Sequence, residues 1–386
     1  MHVAWLGKKS PFCGNVTYGR EVTNALQDRG HRVSFLHFAD EGDVPDDEVS
    51  LPFLYKSQIY TLPNPKANKV LADALRSLQP DIVHASLALS PLDFTLPDLC
   101  AELGLPLVAT FHPAFDRRRR NFASRTQHLL YQIHAPSLAN YDRVIVFSEI
   151  QRELLISLGL TPERVVVIPN GVDVTKFSPG ASAIKQELDA DILFVYQGRI
   201  SPEKNTEAML KAWKQSQLGD RVKLALVGDG PQAATLQSFY PAEYGVVWMG
   251  FVADEQRRIE ILRGADAFIL PSLVEGLSLS LLEAMACGAA AIATDVGADG
   301  EALDGGAGIR LSPHKVATSL TTLLPMLCEH PEFVQMLQRK ARWRTIERYT
   351  LDRNIDRIEM LYAELLGTDV PRGLRTGGTQ GVAVGS

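Results

Sequence analysis

Pro271-Ser272-Leu273-Val274-Glu275-Gly276-Leu277-Ser278-Leu279-Ser280-Leu281-Leu282-Glu283-Ala284-Met285-Ala286-Cys287-Gly288 follows directly on the apolar run Ala267-Phe268-Ile269-Leu270. The run reads as a buried strand that Pro271 ends, Gly276 marks a loop, and the stretch beyond it reads as a helix. Such a strand-to-helix crossing aims the first helical N–H groups and the positive end of the helix dipole at whatever occupies the crevice. Glu275 stands before the helix and Glu283 about two turns into it. The layout suits an anionic group at the helix start with hydroxyl-bearing groups on either side, the shape of a ribose, a diphosphate and a hexose in line.

Outward from this stretch the same grammar repeats. In the second half, Ile192–Gln197, Val222–Val227, Val246–Trp248, Ala267–Leu270 and Ala290–Thr294 read as strands with helices between them. In the first half, His2–Leu6, Arg32–Phe38, Ile82–Ala85, Leu107–Phe111 and Arg143–Phe147 do so. A helix is expected near Val16–Asp28, ended by Gly30. Alternation of this kind predicts an α/β fold with two doubly wound parallel sheets joined near Pro169–Pro179. Residues 39–65, first acidic and then Pro-rich, are left open. Residues 351–366 read as an amphipathic last helix, and the Gly-rich residues 367–386 as a tail with little to pack. Ligands of such sheets bind at the carboxyl ends of strands, where every candidate residue below falls.

Length and composition bound the function. With 386 residues, 46% of them hydrophobic, the chain can fill two cores. A net charge of −6 argues against nucleic acid as a general partner, since a phosphate backbone needs a basic footprint. Cys13, Cys100, Cys287 and Cys328 form no C-x-x-C pair and read as reduced thiols of a cytoplasmic protein. No signal peptide and no apolar stretch long enough to span a bilayer is seen, so a membrane would be touched from one side, its cytoplasmic face. No metal site is apparent: there is no paired-Asp run after a strand, and the histidines are scattered.

Four segments together resemble a known family. Leu270–Gly288 looks like the E-x7-E signature of retaining glycosyltransferases of the GT-B fold. Gln197-Gly198-Arg199-Ile200-Ser201-Pro202-Glu203-Lys204-Asn205 resembles the family's G-R-x-x-x-E-K-N segment. Ile168-Pro169-Asn170-Gly171-Val172-Asp173 resembles its P-N-G-V-D linker, and Leu226-Val227-Gly228-Asp229-Gly230-Pro231 its V-G-x-G-P loop. The resemblance implies two Rossmann-like domains facing across a cleft: residues 1–172 binding the acceptor, residues 173–350 binding a nucleotide sugar, and the helix 351–366 crossing back to the first. It also implies roles. Arg199 and Lys204 would hold the diphosphate, with N–H groups of Gly276, Leu277, Ser278 and Leu279, and would do the charge neutralisation that a divalent cation does elsewhere. Glu275 would hold hydroxyls of the donor hexose and Glu283 those of the ribose, since one carboxylate accepts two hydroxyl bonds. His112 would contact the hexose near the reacting carbon; Gly228, Gly250 and Phe251 would lie near the base. Where members carry a Gly-Gly pair after the first strand, this chain has Cys13-Gly14-Asn15, and Gly14 is kept as a candidate.

Arg117-Arg118-Arg119-Arg120, flanked by Phe115 and Phe122, is either a solvated basic face or a dock for anionic lipid headgroups or an anionic acceptor. The expected activity is metal-independent, retaining transfer of a hexose from a UDP- or GDP-hexose to a hydroxyl of a lipid or saccharide, with no resident cofactor. Two other readings compete: a sugar phosphorylase or epimerase on the same scaffold, and a catalytically silent partner that binds nucleotide sugar or lipid. Intact Arg199, Lys204, Glu275 and Glu283 argue against the silent partner.

Overall fold

The computed structural model describes residues 1–10, 13–39, 45, 48–57, 60–87, 89–113 and 122–368, with side chains of the helix Phe122–Leu138 described from residue 128 onward. Nine strands lie in the first half: β1 (His2–Gly7), β2 (Arg32–Phe38), β3 (Glu48–Leu51), β4 (Phe53–Lys56), β5 (Thr61–Pro63), β6 (Ile82–Ser86), β7 (Leu107–Thr110), β8 (Arg143–Val146) and β9 (Val165–Val167). Seven of them form a parallel sheet in the order β3-β2-β1-β6-β7-β8-β9, and β4 and β5 pair apart from it as an antiparallel hairpin. The second half contributes β10 (Ile192–Gln197), β11 (Val222–Val227), β12 (Val246–Gly250), β13 (Ala267–Leu270), β14 (Ala290–Thr294) and β15 (Gly308–Leu311). They form a second parallel sheet, ordered β12-β11-β10-β13-β14-β15. The central strands are continuous apolar runs because both of their faces are covered by helices.

Helical periodicity explains the covering layer. In the helix Gly14–Asp28, Tyr18, Val22 and Leu26 recur four residues apart and are all buried. Full burial of a side chain such as Val22 or Leu26 contributes about 1.5–3 kcal/mol. In the last helix, Leu351–Leu366, Ile355, Ile358 and Tyr362 are buried in the same way. Thr350 caps its start by accepting from the Arg353 N–H, and Gly367 ends it at φ 63°. This helix welds the halves together. Its apolar face joins one buried cluster that runs from Val3, Trp5 and Tyr18 of the first sheet's layer to Phe194, Leu224 and Ile292 of the second sheet. Its polar edge meets the first half through Arg29, which bonds Asp356 and Glu359 at 2.7 Å each, and through His31, 2.6 Å from Glu359.

The linker segment has a packing reason for its glycine. A Cβ on Gly171 would stand 2.7 Å from the Leu351 Cα, where Val172 and Tyr349–Leu351 exchange backbone bonds of 2.9 Å. Short edge strands β3, β9 and β15 and the β4–β5 hairpin were not foreseen, because three or four residues with one open side carry too little pattern. The tail residues 369–386 lie outside the described residues.

Candidate active site

Each sheet reverses its winding once, between β1 and β6 in the first and between β10 and β13 in the second. Loops leaving adjacent strands at such a point diverge and leave a crevice. The loop after β10 carries Arg199 and Lys204, and the loop after β13 carries Glu275. The structure brings these together. Lys204 Nζ lies 2.5 Å from Glu275 Oε1, which also accepts from the Ser272 hydroxyl at 2.7 Å. Glu275 is only 8% exposed, so its charge is held by two named partners rather than by water. Arg199 pairs with Glu203 at 2.6 Å, and the Ser201 hydroxyl bonds the same oxygen at 2.6 Å. Tyr196 donates its hydroxyl to the Arg199 carbonyl oxygen at 2.7 Å and shapes the turn.

Beyond Gly276 the chain enters the helix Leu279–Cys287, N-capped by Ser278. Two of its early N–H groups already have acceptors: Ser278 N–H bonds Asp299 Oδ1 at 2.8 Å, and Leu281 N–H bonds the Ser278 hydroxyl at 3.4 Å. Among the described residues no acceptor serves the Leu279 and Ser280 N–H groups. Of the Gly276–Leu279 run only the Ser278 N–H has an acceptor among the described residues, which leaves the Gly276, Leu277 and Leu279 N–H groups, with that of Ser280, as the donors open to an anion. The Leu277 carbonyl is fixed by Asn170 Nδ2 at 2.7 Å, which gives the linker asparagine its role.

Glu283 is the fifth residue of the helix, so it stands little more than one turn in, not two, because the helix begins after Ser278. Gln197 Nε2, at the end of β10, donates to it at 2.8 Å. Burial pushes the Glu283 carboxyl up to about 7, against the pull of Arg258 and the Gln197 hydrogen bond. Asp299, fully buried, is raised well above the usual carboxylate range by desolvation and then by the nearby Glu275 charge.

Gly228 adopts φ +140°, and a Cβ there would fall 1.9 Å from the Gly198 carbonyl oxygen. Its glycine is needed for close passage of two loops, and its N–H bonds the Gly250 carbonyl oxygen at 2.7 Å. Gly250 sits at φ +65° with open space around it, and Phe251 beside it is 58% exposed.

The first sheet faces this loop. A Cβ on Gly276 would lie 3.6 Å from the His112 carbonyl oxygen and 3.8 Å from the Phe147 ring, so strand ends of both sheets line one cleft. His112 follows β7; its ring packs edge-on against Tyr18 at 4.9 Å, and Nε2 is 2.8 Å from Ser86 Oγ. Desolvation, aided by the Lys8 charge, pushes the His112 imidazole down to about 3, so it is neutral at physiological pH. Gly14 opens the first helix, exposed and with nothing within 4 Å of a Cβ. Arg20 of the first half reaches Glu255 of the second at 3.3 Å, and Lys176, 3.0 Å from Glu255, also reaches Glu21 of the first half at 3.5 Å, so these ion pairs tie the halves together.

Arg117–Arg120 lie outside the described residues. Among the described residues no group of three or more His, Cys, Asp or Glu is placed to hold a metal, and no helix is long and apolar enough to cross a membrane. Sequence reading missed Ser272, Gln197, Asp299 and Gly297. Pro-Ser before the loop is a local signal for the first. Asp299 and Gly297 act from a separate strand end; a Cβ on Gly297 would fall 2.1 Å from the Glu275 carbonyl oxygen.

Residues 14–176 match the family model "Glycosyltransferase Family 4", and residues 191–327 match "Glycosyl transferases group 1". The chain is 28% identical over 259 residues to the GDP-mannose-dependent alpha-(1-6)-phosphatidylinositol dimannoside mannosyltransferase of Mycobacterium tuberculosis, covering 65% of this chain and 67% of that protein. It is 29% identical over 311 residues to the alpha-monoglucosyldiacylglycerol synthase of Streptococcus pneumoniae, covering 72% and 67%. Anabaena HepE, solved in complex with UDP, superposes with a TM-score of 0.75 at 17% identity over 94% of this chain and 100% of that one, a likeness of fold. With both halves matched by glycosyltransferase models and two parallel-sheet domains facing across a cleft, the chain belongs to the GT-B glycosyltransferases.

Proposed function

We propose that the protein is a retaining, metal-independent hexosyltransferase that takes a hexose from a UDP- or GDP-hexose and passes it to a hydroxyl of a lipid or saccharide. The observation that carries this reading is the meeting of Lys204 and Glu275, 2.5 Å apart, at the winding reversal of the second sheet and beside two open helix N–H groups. Breaking a glycosyl–diphosphate bond leaves negative charge on the departing nucleotide. Lys204, Arg199 and the Leu279 and Ser280 N–H groups stabilise that charge more as it develops than before. Arg199 can leave Glu203 for a phosphate with a forked grip, and Lys204 supplies a point charge. Glu275 accepts hydroxyls of the hexose, and Glu283 accepts those of the ribose. No carboxylate lies in contact with His112 among the described residues, so front-face attack is favoured, with a departing phosphate oxygen taking the acceptor proton. The facing loops exclude water that would otherwise hydrolyse the donor. Both relatives are named for a glycolipid, a phosphatidylinositol dimannoside in one and a monoglucosyldiacylglycerol in the other, and both names carry the word alpha. A lipid acceptor also fits Leu129 and Ile133, which stand more than half exposed four residues apart on the helix that follows Arg117–Arg120, and those arginines are assigned to anionic headgroups.

The test is release of nucleoside diphosphate from UDP- and GDP-hexoses, with acceptors presented in solution and in anionic vesicles, and the anomeric configuration of the product read by NMR. Release that depends on acceptor, with an alpha product, is expected. Lys204→Ala should lower turnover by about 10²–10³-fold. An unaltered rate in that variant would remove Lys204 from the diphosphate, and an inverted product would end the retaining mechanism.

A further inference from the structure

We propose that Asn15 and Ser86 are positioning residues that hold the His112 imidazole as its Nε2–H tautomer, so that Nδ1 is presented as a hydrogen-bond acceptor to a hydroxyl of the transferred sugar. The proton positions follow from a chain of three bonds. The Leu87 carbonyl oxygen can only accept, so the Asn15 atom 3.2 Å from it is the amide nitrogen Nδ2. Oδ1 of Asn15 therefore faces Ser86 Oγ, 2.7 Å away. An amide oxygen has no proton to give, so the serine's single hydroxyl proton points to Asn15. Ser86 Oγ is left with lone pairs toward His112 Nε2 at 2.8 Å, and the ring proton must sit on Nε2. Nδ1 keeps its lone pair, and among the described residues nothing engages it.

The three residues come from three strand ends of the first sheet. Asn15 is in the first turn of the helix after β1, Ser86 ends β6, and His112 lies two residues beyond β7. Ser86 is 1% exposed, and Tyr18 and Phe147, with ring centroids 4.9 and 5.3 Å from that of His112, fix its plane. Burial keeps the ring from taking a second proton. Asn15 is thus occupied with the histidine's orientation, which explains why a polar amide stands after Gly14. The His112 backbone adjoins the Gly276 loop, so the hydroxyl that meets Nδ1 belongs to the donor sugar. Only that last identification rests on the transferase reading; the tautomer does not.

Long-range proton–nitrogen NMR of the full chain labelled at histidine decides the matter near neutral pH, with the His112 signals assigned by their loss in His112→Ala. The expected spectrum shows one tautomer, pyrrole-like at Nε2 and pyridine-like at Nδ1. Ser86→Ala should shift it to a mixture of tautomers, and Ser86→Thr should restore the single form. A wild-type ring protonated at Nδ1, or an unchanged spectrum in folded Ser86→Ala, overturns the proposal. If Ser86→Ala does not fold, the wild-type spectrum and Asn15→Leu, expected to shift toward the mixture, carry the decision. A protein inactive on every sugar nucleotide would leave this spectrum as expected, so the two readings fail separately.

Discussion

The two carboxylates of the Glu275–Glu283 segment are chemically unequal. Glu275 has a cation and a hydroxyl on one oxygen, whereas Glu283 has the neutral amide of Gln197 as its hydrogen-bond donor and a carboxyl pushed up to about 7 by desolvation. An ionised carboxylate accepts two hydroxyls, and a protonated one must spend one position as a donor. Binding of a nucleoside diphosphate should therefore strengthen as pH rises through about 7, as calorimetry would show. Glu283→Gln should weaken binding roughly tenfold, about 1.4 kcal/mol, and lose that part of the pH dependence. The ligand's own protonation cancels in the comparison; parallel pH curves for the two proteins would refute the ribose role. Stability moves the other way. The folded value lies above the unfolded 4.5, so this group's contribution is intact below 4.5 and is lost as pH rises through about 7. The Gln variant should accordingly melt higher than the wild type at pH about 8.

For single loops, glycines that look alike in the sequence do different work. Gly228 stands at φ +140° with the Gly198 carbonyl oxygen 1.9 Å from any added Cβ, so Gly228→Ala forces the loops after β10 and β11 apart. That should cost about 2–4 kcal/mol in a denaturant titration. Gly14 has open space and helical backbone, so Gly14→Ala should leave stability within about 0.5 kcal/mol or raise it. A stable Gly14→Ala protein with reduced turnover would mark a close contact of substrate with backbone. Full turnover would take Gly14 out of the site. At this scale the sequence was legible where an element is long and buried. The central strands and the first and last helices lie within a residue or two of where apolar period and cap residues put them. The hairpin β4–β5 and the edge strands were not legible, because their pairing depends on which neighbour is available.

Over the whole molecule the last helix is the fastening. Arg29 of the first half faces Asp356 and Glu359 of this helix, with Glu359 at 3% exposure and His31 on its second oxygen. Removing one member of a shielded pair strands the other. Arg29→Ala should lower stability by about 2 kcal/mol, read from the denaturant midpoint. Unchanged stability would show that apolar contacts alone dock the helix. His84, fully buried between Thr110 and the Tyr362 hydroxyl, adds a second link between this helix and the residues around His112.

The sequence by itself determined the parallel-sheet architecture, the two halves and the identity of the cation-bearing and acid-bearing loops. Local period, strand ends and helix starts are properties of short stretches of chain. Only the tertiary structure decided that Lys204 meets Glu275, that Asp299 takes the Ser278 N–H from a different strand end, and that Asn15 and Ser86 orient His112. Those pairings join residues 21 to 71 positions apart, or strand ends brought side by side by the winding of the sheets, and their distances are set by packing that no local stretch encodes.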